Sequence, residues 1–221
     1  MAAGTWAIVV AGGEGRRFGG PKQFEQLCGR PVVEWAVDAA RSVAEEVVLV
    51  LPEAALGEPS RHAGCGVVVA GGATRAASVR AGLAAVPASA EIVVVHDAAR
   101  PLASRSLFTA VVAAVGAGAD GAIPAVPLAD TVKRIAAGRV VETLERSDLV
   151  AVQTPQAFRA AVLRRAHAGE PDATDDAGLV EAIGGAVVTV PGEARNVKLT
   201  DVDDLARLGS WGAEVLASGS R

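Results

Sequence analysis

The chain has 221 residues, and 51% of them are hydrophobic, so it can bury the core of one large domain. Its formal net charge of −4 argues against a nucleic-acid or anionic-membrane surface, because both require a basic face. No leader with basic and apolar segments and no membrane-length apolar run is present, and Cys28 and Cys65 lack metal or redox spacing. We therefore expect a single cytoplasmic domain, residues 1–221, that acts on small molecules rather than on nucleic acid or membranes.

Strands and helices are predicted to alternate through the first half of the chain. Short runs rich in Val and Ile predict buried strands, and segments whose apolar residues recur at three and four positions predict helices between them. The predicted strands are 6–10, 47–51, 67–69, 92–95 and 122–126, and the predicted helices are 32–43, 76–86 and 107–115. This alternation is typical of an α/β fold with a mostly parallel sheet.

The segment from Asp130 to Asp148 departs from this alternation. The sequences TVKRI and VVETL flank Ala-Ala-Gly-Arg, which predicts a β-hairpin rather than a crossover helix. We expect this insertion, at about residues 129–150, to project as an arm. Beyond it the pattern predicts helices at 158–167 and 176–183, a strand at 186–190 and a last helix from Val202.

A glycine-rich segment, AGGEGRRFGGPKQ at residues 11–23, follows the first predicted strand directly. Backbone N–H groups at the carboxyl end of a parallel strand bind phosphates in open α/β sheets. A dinucleotide-binding loop would need a third glycine where Phe18 stands. A P-loop would need Lys followed by Ser or Thr directly after Gly20, where Pro21 intervenes.

A nucleotidyltransferase loop accounts for the unusual residues of this segment. Its glycines would admit a triphosphate, while Arg17 and Lys22 would neutralise charge on the α-phosphoryl group and the departing pyrophosphate. The structural alternative is that Arg16, Arg17 and Lys22 are solvated charges on a flexible turn. The spacing favours the nucleotidyltransferase but defines neither the base nor the acceptor.

Further polar residues stand near the ends of later elements. Asp97 and Arg100 follow the fourth predicted strand, beside the expected ligand crevice, although a carboxylate paired with Arg at a helix entry is the structural alternative. His96 points away from Asp97 along the strand, so we interpret it as a core histidine. The adjacent Asp175 and Asp176 fit the N-terminus of a helix better than a pair of metal ligands.

Seven motifs extend in order nearly from one end of the chain to the other. They are AGGEGRRFGGPKQ (11–23), GGATRAASVRAGL (71–83), VHDAARP (95–101), DTVKR (130–134), QTPQAF (153–158), TDDAGLVE (174–181) and NVKLTD (196–201). In these motifs the chain resembles the 2-C-methyl-D-erythritol 4-phosphate cytidylyltransferases of the non-mevalonate isoprenoid pathway. The resemblance implies an α/β fold of the Rossmann-like, three-layer nucleotidyltransferase (glycosyltransferase-A-like) kind, with a mostly parallel sheet and a protruding β-arm.

The resemblance also implies a site for CTP and for methylerythritol phosphate. Arg17 and Lys22 would stabilise the transition state, and Arg146 and Lys198 would position the acceptor phosphate. The residues that would bind CTP are Ala11, Gly12, Gly13, Glu14, Gly15, Arg16, Gly71, Gly72, Ala73, Ser78 and Asp97. The residues that would bind the acceptor are Asp97, Arg100, Thr131, Thr154, Arg146 and Lys198.

Cofactor and assembly are expectations of the same kind. Magnesium is expected, bound mainly through the CTP phosphates, and no protein ligand is assigned to it. A homodimer is implied, in which the arm carries Thr131 and Arg146 to the neighbouring subunit. Two alternatives remain open at this point: a related cytidylyltransferase acting on ribitol 5-phosphate, and a non-catalytic nucleotide-binding module with the same fold.

Overall fold

The computed structural model of the chain describes residues 4–13, 15 and 17–218. The strands are β1 (Thr5–Val10), β2 (Gln26–Leu27), β3 (Arg30–Pro31), β4 (Glu46–Leu51), β5 (Val67–Ala70), β6 (Ile92–Asp97), β7 (Gly121–Pro127), β8 (Lys133–Ala136), β9 (Arg139–Thr143), β10 (Val150–Val152), β11 (Gln156–Arg159) and β12 (Val187–Pro191). The α-helices are α1 (Val32–Ala40), α2 (Arg75–Ala85), α3 (Arg105–Gly116), α4 (Ala160–Ala166), α5 (Asp176–Ala182) and α6 (Val202–Ser218). Short 3-10 turns lie at Lys22–Phe24, Glu53–Ala55, Pro59–Arg61 and Arg146–Asp148.

Within the described residues, eight strands form one mixed sheet. The order across it is β5, β4, β1, β6, β11 and β7, and both β10 and β12 also pair with β7. Each neighbouring pair from β5 to β6 is parallel, whereas β11 runs antiparallel to both β6 and β7. The carboxyl ends of β5, β4, β1 and β6 therefore meet at one edge of the sheet, where open α/β folds bind their ligands.

Helices cover both faces of the sheet and produce three layers. On one face α1 and α3 bury Ala36 and Phe108 completely, and on the other α2 and α4 do the same with Val79 and Leu163. Because the central strands are covered on both faces, they contain continuous apolar runs such as VVLVL, residues 47–51 of β4. The three-layer α/β prediction is confirmed. None of the helices in the described part of the chain is long and apolar enough to span a membrane.

The predicted hairpin is present as β8 and β9, which form a separate two-stranded antiparallel sheet. Every residue of both strands is exposed, including Ile135, Val140 and Val141, which are 67%, 62% and 57% accessible. The protruding arm of the expected fold is therefore confirmed, and its surface is partly apolar.

The predicted helix at 158–167 is wrong at its start. Residues Gln156–Arg159 form β11, and the helix begins only at Ala160. Phe158 is fully buried against Gly121 of the neighbouring strand, where an added Cβ would come within 2.7 Å of the Phe158 ring. This contact between distant segments places the residue in the sheet. The short strand β10 and the β2–β3 hairpin were also absent from the predicted elements.

Candidate active site

The glycine-rich loop folds back on itself directly after β1. The carbonyl oxygen of Gly15 accepts hydrogen bonds from the backbone N–H groups of Phe18, Gly19 and Gly20, at 2.9, 2.9 and 3.3 Å. Gly15 has a φ of +66°, and a Cβ at this position would overlap the carbonyl oxygen of Gly20. Only glycine fits this conformation without strain, so the shape of the loop depends directly on this residue.

The loop forms one wall of a cavity of about 510 Å³ at the carboxyl ends of β1 and β6. The other walls come from the start of α2, from residues 97–99 after β6, and from Lys198 and Thr200. The predicted site residues that line it are Ala11, Gly12, Gly13, Gly15, Arg17, Lys22, Gly72, Ala73, Ser78, Asp97 and Lys198. A second cavity of about 300 Å³, lined by Trp35 and Leu102 among others, contains none of the predicted residues.

The start of α2 and the turn before it line the first cavity. Thr74 caps the helix, because its hydroxyl accepts a hydrogen bond from the N–H of Ala77 at 3.1 Å. The hydroxyl of Ser78 accepts from the N–H of Gly72 at 3.1 Å and donates to the carbonyl of Thr74 at 3.0 Å. A Cβ on Gly72 would stand 2.5 Å from that of Ala77, so this approach requires glycine. The predicted residue Gly71 does not line the cavity, but a Cβ on it would come within 3.0 Å of the Ser78 hydroxyl.

Asp97 is the last residue of β6 and is 8% exposed. Its Oδ2 accepts a hydrogen bond from Nζ of Lys198 at 2.7 Å, and its Oδ1 accepts one from Nε of Arg75 at 3.1 Å. Burial alone would raise the pKa of Asp97, but the charges and hydrogen bonds of Arg75 and Lys198 hold that pKa well below its usual range. The carboxylate is therefore ionised at neutral pH.

Arg75 is a candidate residue that sequence reasoning did not single out. It lines the cavity, and its Nη1 donates to Oδ2 of Asp176 at 2.8 Å, so one guanidinium bridges two carboxylates. Burial would lower the pKa of Arg75, yet the charges of Asp97 and Asp176 raise it above its ordinary value. The only available signal was its place in the motif GGATRAAS, which does not reveal a partner 101 positions later.

The adjacent carboxylates at the start of α5 have different functions. Asp175 caps the helix by accepting a hydrogen bond from the N–H of Gly178 at 3.1 Å, which confirms the predicted helix signal. Asp176 is fully buried and contacts Arg75 and Nε2 of His167, the latter at 3.0 Å. Asp176 is the first residue of α5, so the predicted helix N-terminus is confirmed for both carboxylates, but the side chain of Asp176 is turned inward to Arg75 beneath α2.

Lys22 and Arg17 supply positive charge on the loop side of the cavity. Nζ of Lys22 donates to the carbonyl oxygen of Leu199 at 2.5 Å. Burial, with the nearby charges of Lys198 and Arg17, lowers the pKa of Lys22. Arg17 is exposed and lines the cavity. Cations gathered this closely are stabilised by a bound polyanion.

Thr154 and Arg100 lie behind Asp97 rather than in the cavity lining. The hydroxyl of Thr154 accepts from the N–H of Asp97 at 3.1 Å and lies 3.1 Å from Nδ1 of His96. Arg100 donates to the carbonyl of Asn196 at 2.7 Å, and burial lowers its pKa. These contacts fix the end of β6 and the segment that carries Lys198. Contact of either side chain with the acceptor stays a prediction.

The predicted arm residues do not reach the cavity of their own chain. Thr131 and Arg146 are exposed, and Arg146 donates to the carbonyl of Ala129 within the arm. Their placement in a neighbouring subunit stays a prediction. Glu14 and Arg16, which were also assigned to CTP, lie outside the described residues.

His96 is fully buried, and its ring packs 4.9 Å from that of Phe108 between ring centres. Its Nε2 lies 3.2 Å from the carbonyl of Arg100. Burial lowers the pKa of His96 to about 4, so the ring is neutral at neutral pH. The interpretation as a hydrogen-bonded core histidine is confirmed.

A three-layer α/β fold that gathers Arg17, Lys22 and Lys198 around a cavity at its strand ends defines a nucleotidyltransferase. The family model for 2-C-methyl-D-erythritol 4-phosphate cytidylyltransferase (IspD) matches residues 5–210. The chain belongs to this family.

Individual relatives agree with this assignment. The 2-C-methyl-D-erythritol 4-phosphate cytidylyltransferase of Rubrobacter xylanophilus is 44% identical over 217 residues, which cover 92% of each chain. The enzyme of the same name from Frankia casuarinae is 48% identical over 206 residues, 90% of this chain and 77% of the relative. The crystal structure of the Thermus thermophilus enzyme superposes with a TM-score of 0.80 at 38% identity, covering 93% of this chain and 98% of that one.

Proposed function

We propose that this chain transfers CMP from CTP to 2-C-methyl-D-erythritol 4-phosphate, giving 4-diphosphocytidyl-2-C-methyl-D-erythritol and pyrophosphate in the non-mevalonate isoprenoid pathway. The observation that carries the proposal is the convergence of Arg17, Lys22, Asp97 and Lys198 on one cavity, in a chain of this family. The glycine loop and the start of α2 supply the backbone groups that would receive the nucleotide.

The chemistry is an in-line displacement at the α-phosphorus of CTP. A phosphate monoester is largely dianionic at neutral pH, because its second pKa is about 6. One of its oxygens forms a bond to the α-phosphorus while the bond from that atom to the pyrophosphate oxygen breaks, and pyrophosphate leaves with the electron pair. Since the nucleophile is already an anion, no general base is required.

The residues around the cavity would divide this work. Lys22 and Arg17, on the loop, would neutralise the charge that develops on the α-phosphoryl group and on pyrophosphate. Lys198, on the segment that Lys22 contacts at Leu199, would hold the acceptor phosphate. The glycine turn at Gly72, held by the hydroxyl of Ser78, would present its carbonyl group to the cytosine ring. Catalysis would then consist of positioning and charge neutralisation.

Magnesium fits the donor set of the cavity. Asp97 is the one carboxylate among the described residues that line it. Across the part of the chain that the structure describes, no group of three or more His, Cys, Asp or Glu side chains could hold a metal ion. Mg²⁺ commonly binds through one or two carboxylates together with substrate phosphates and water. The ion would neutralise phosphate charge and would be bound mainly through the CTP phosphates and water, near Asp97, whose two oxygens accept from Arg75 and Lys198.

A homodimer through the arm is part of the proposal, and so is a cytoplasmic location. The exposed Ile135, Val140 and Val141 give the hairpin an apolar surface suited to a protein contact. Thr131 and Arg146 do not line the cavity of their own chain. In such a dimer they would reach the acceptor side of the partner's cavity.

Pyrophosphate release tests the reaction directly. CTP should be consumed with methylerythritol phosphate, and a preference for ribitol 5-phosphate in the parallel assay would overturn the acceptor assignment. Absence of turnover with both would favour the non-catalytic module. Lys22→Ala and Arg17→Ala should each lower kcat by about 10² or more without loss of the fold. Arg165→Ala, an exposed cation on α4 outside the cavity, is the matched control.

Mixing inactive variants tests the shared site. If Arg146 acts in the partner's cavity, a heterodimer of Lys22→Ala and Arg146→Ala subunits contains one intact site of two. Random exchange of subunits should then restore about a quarter of the wild-type activity. A mixture as inactive as its components, or an active monomer in ultracentrifugation, would contradict the arm dimer.

A further inference from the structure

A chain of charged and polar side chains leads from the cavity into the protein interior. Nζ of Lys198 lies 2.7 Å from Oδ2 of Asp97, whose Oδ1 lies 3.1 Å from Nε of Arg75. Nη1 of the same guanidinium lies 2.8 Å from Oδ2 of Asp176, whose Oδ1 lies 3.0 Å from Nε2 of His167. We refer to Lys198, Asp97, Arg75, Asp176 and His167 as the Arg75 network.

The geometry of this network depends on the shape of the guanidinium. Arg75 uses two nitrogens of one rigid plane, so the direction toward Asp176 determines the direction toward Asp97. The inner end is firmly held, since the side chain of Asp176 is 1% exposed and that of Arg75 is 20% exposed. A lysine offers a point charge on a flexible stem and cannot fix both directions at once.

Arg75 also determines how Asp97 meets Lys198. Each carboxylate oxygen of Asp97 has its own cation, Arg75 on Oδ1 and Lys198 on Oδ2. Without Arg75 the carboxylate could rotate and contact the ammonium of Lys198 with both oxygens. The ammonium would then be held against Asp97 instead of being directed to an anion in the cavity.

We propose that Arg75 is a positioning residue for the transfer reaction: held by Asp176, it orients Asp97 so that Lys198 is presented to the acceptor phosphate. This inference rests on the proposed function, which assigns the acceptor phosphate to Lys198. It extends the functional site to a buried carboxylate on α5 that touches neither substrate.

A tether on the same helix provides the matched control. Arg80 is also on α2, and its Nη1 donates to the carbonyl of Pro171, in the segment before α5, at 2.8 Å. It therefore joins the same two regions as Arg75 does, but it does not contact Asp97. Arg80→Met measures what loosening α2 from the α5 region costs, without disturbing the orientation of the carboxylate.

The test is steady-state kinetics with each substrate varied in turn, together with thermal melting. Arg75→Met should lower kcat/KM for the acceptor on the order of 10- to 100-fold, mainly through KM, while KM for CTP stays within about threefold. Arg75→Lys should not restore the acceptor KM, and Asp176→Asn should show the same selective effect. Arg80→Met should leave KM and kcat unchanged and should at most lower the melting temperature.

A double-mutant cycle separates positioning from a merely structural ion pair. Because Asp176 acts through Arg75, the double variant Arg75→Met with Asp176→Asn should be no worse than Arg75→Met alone. Additive losses, an equal rise in KM for both substrates, or rescue by lysine would overturn the inference. If Arg75→Met does not fold, Arg75→Lys and Asp176→Asn decide by the same criterion. An active wild type with unaffected variants refutes the inference alone, whereas an inactive wild type refutes the proposed function and the inference with it.

Discussion

Replacing Gly15 by alanine is expected to open the nucleotide loop while the sheet stays folded. The added Cβ would overlap the carbonyl oxygen of Gly20 and stand 2.9 Å from its carbonyl carbon. The backbone of Gly15 has a φ of +66°, a region that L-residues adopt at a cost. The overlap involves backbone atoms, so a change of side-chain rotamer cannot relieve it.

The magnitude follows from the hydrogen bonds that the closed loop contains. Relief of the overlap would move Gly20 away from Gly15 and break the three bonds that Gly15 accepts. At about 1 kcal/mol for each bond and about 1 kcal/mol for the left-handed backbone, closing the loop becomes about 4 kcal/mol less favourable. Part of this is offset by bonds to water and by binding to the open form, so we expect kcat/KM for CTP to fall about 100-fold.

Two neighbouring glycines separate strain from overlap. Gly19 has a φ of +90° with open space around it, so Gly19→Ala carries the backbone strain alone and should cost about tenfold or less. Gly20 also faces open space and lacks a positive φ, so Gly20→Ala should resemble the wild type. Pyrophosphate release at varied CTP gives kcat/KM, and circular dichroism melting checks the fold.

The order of kcat/KM for CTP among the three variants tests the explanation of the closed loop. Gly15→Ala with kcat/KM for CTP within about threefold of the wild type would refute the reasoning, since a loop that tolerates the overlap is not closed in the way described. Equal damage from Gly20→Ala would also refute it, because that substitution meets no atom.

Titration and thiol chemistry provide further checks. Burial and neighbouring cations lower the pKa of Lys22 from its ordinary 10.5, so kcat/KM for CTP should fall with rising pH at a pH below that value. Lys22→Arg should move this alkaline limb to higher pH. An unmoved limb would contradict its assignment to Lys22. The folded pKa of His96, about 4, lies below the ordinary 6.5, so only the unfolded state binds a proton between these values. The free energy of unfolding, from urea titrations, should therefore fall by about 3 kcal/mol as pH drops through that window, and the same slope in His96→Gln would contradict this. Burial raises the pKa of Cys65 to about 11, so a thiol reagent should modify only the exposed Cys28 in the native protein and both cysteines after unfolding; mass spectrometry that finds Cys65 modified in the native state would contradict this.

The parallel half of the fold could be predicted because its signals are local. Residues 47–51 of β4 and 92–95 of β6 are buried on both faces, so each segment is an uninterrupted apolar run whatever its neighbours are. β11 could not be recognised in this way. Its four residues form a strand because Phe158 packs over Gly121, and nothing in QAFR itself indicates that contact.

The residues of the functional site could likewise be predicted only where their signal is local. The loop and Asp97 could be predicted because phosphate-binding glycines and strand-end carboxylates occupy recognisable places in the chain. Arg75 and Asp176 could not be predicted, because no motif or fixed spacing in the sequence indicates a buried ion pair between residues 101 positions apart. The cap at Asp175 already accounts for the sequence pattern at the start of α5. That pattern therefore did not indicate that the side chain of Asp176 turns inward to Arg75.

The contacts of Lys22 with Leu199 and of Lys198 with Asp97 also determine when the site can form during synthesis of the chain. The first joins positions 177 residues apart, and the second joins positions 101 apart. During synthesis β1, β4 and β5 can pair long before residue 199 leaves the ribosome, because chains emerge from the N-terminus and near contacts form first. The glycine loop is therefore made long before residue 199, and its lysine gains this anchor only after that residue has emerged. A nascent chain that ends before Asn196 would carry the parallel sheet and an unfinished cavity.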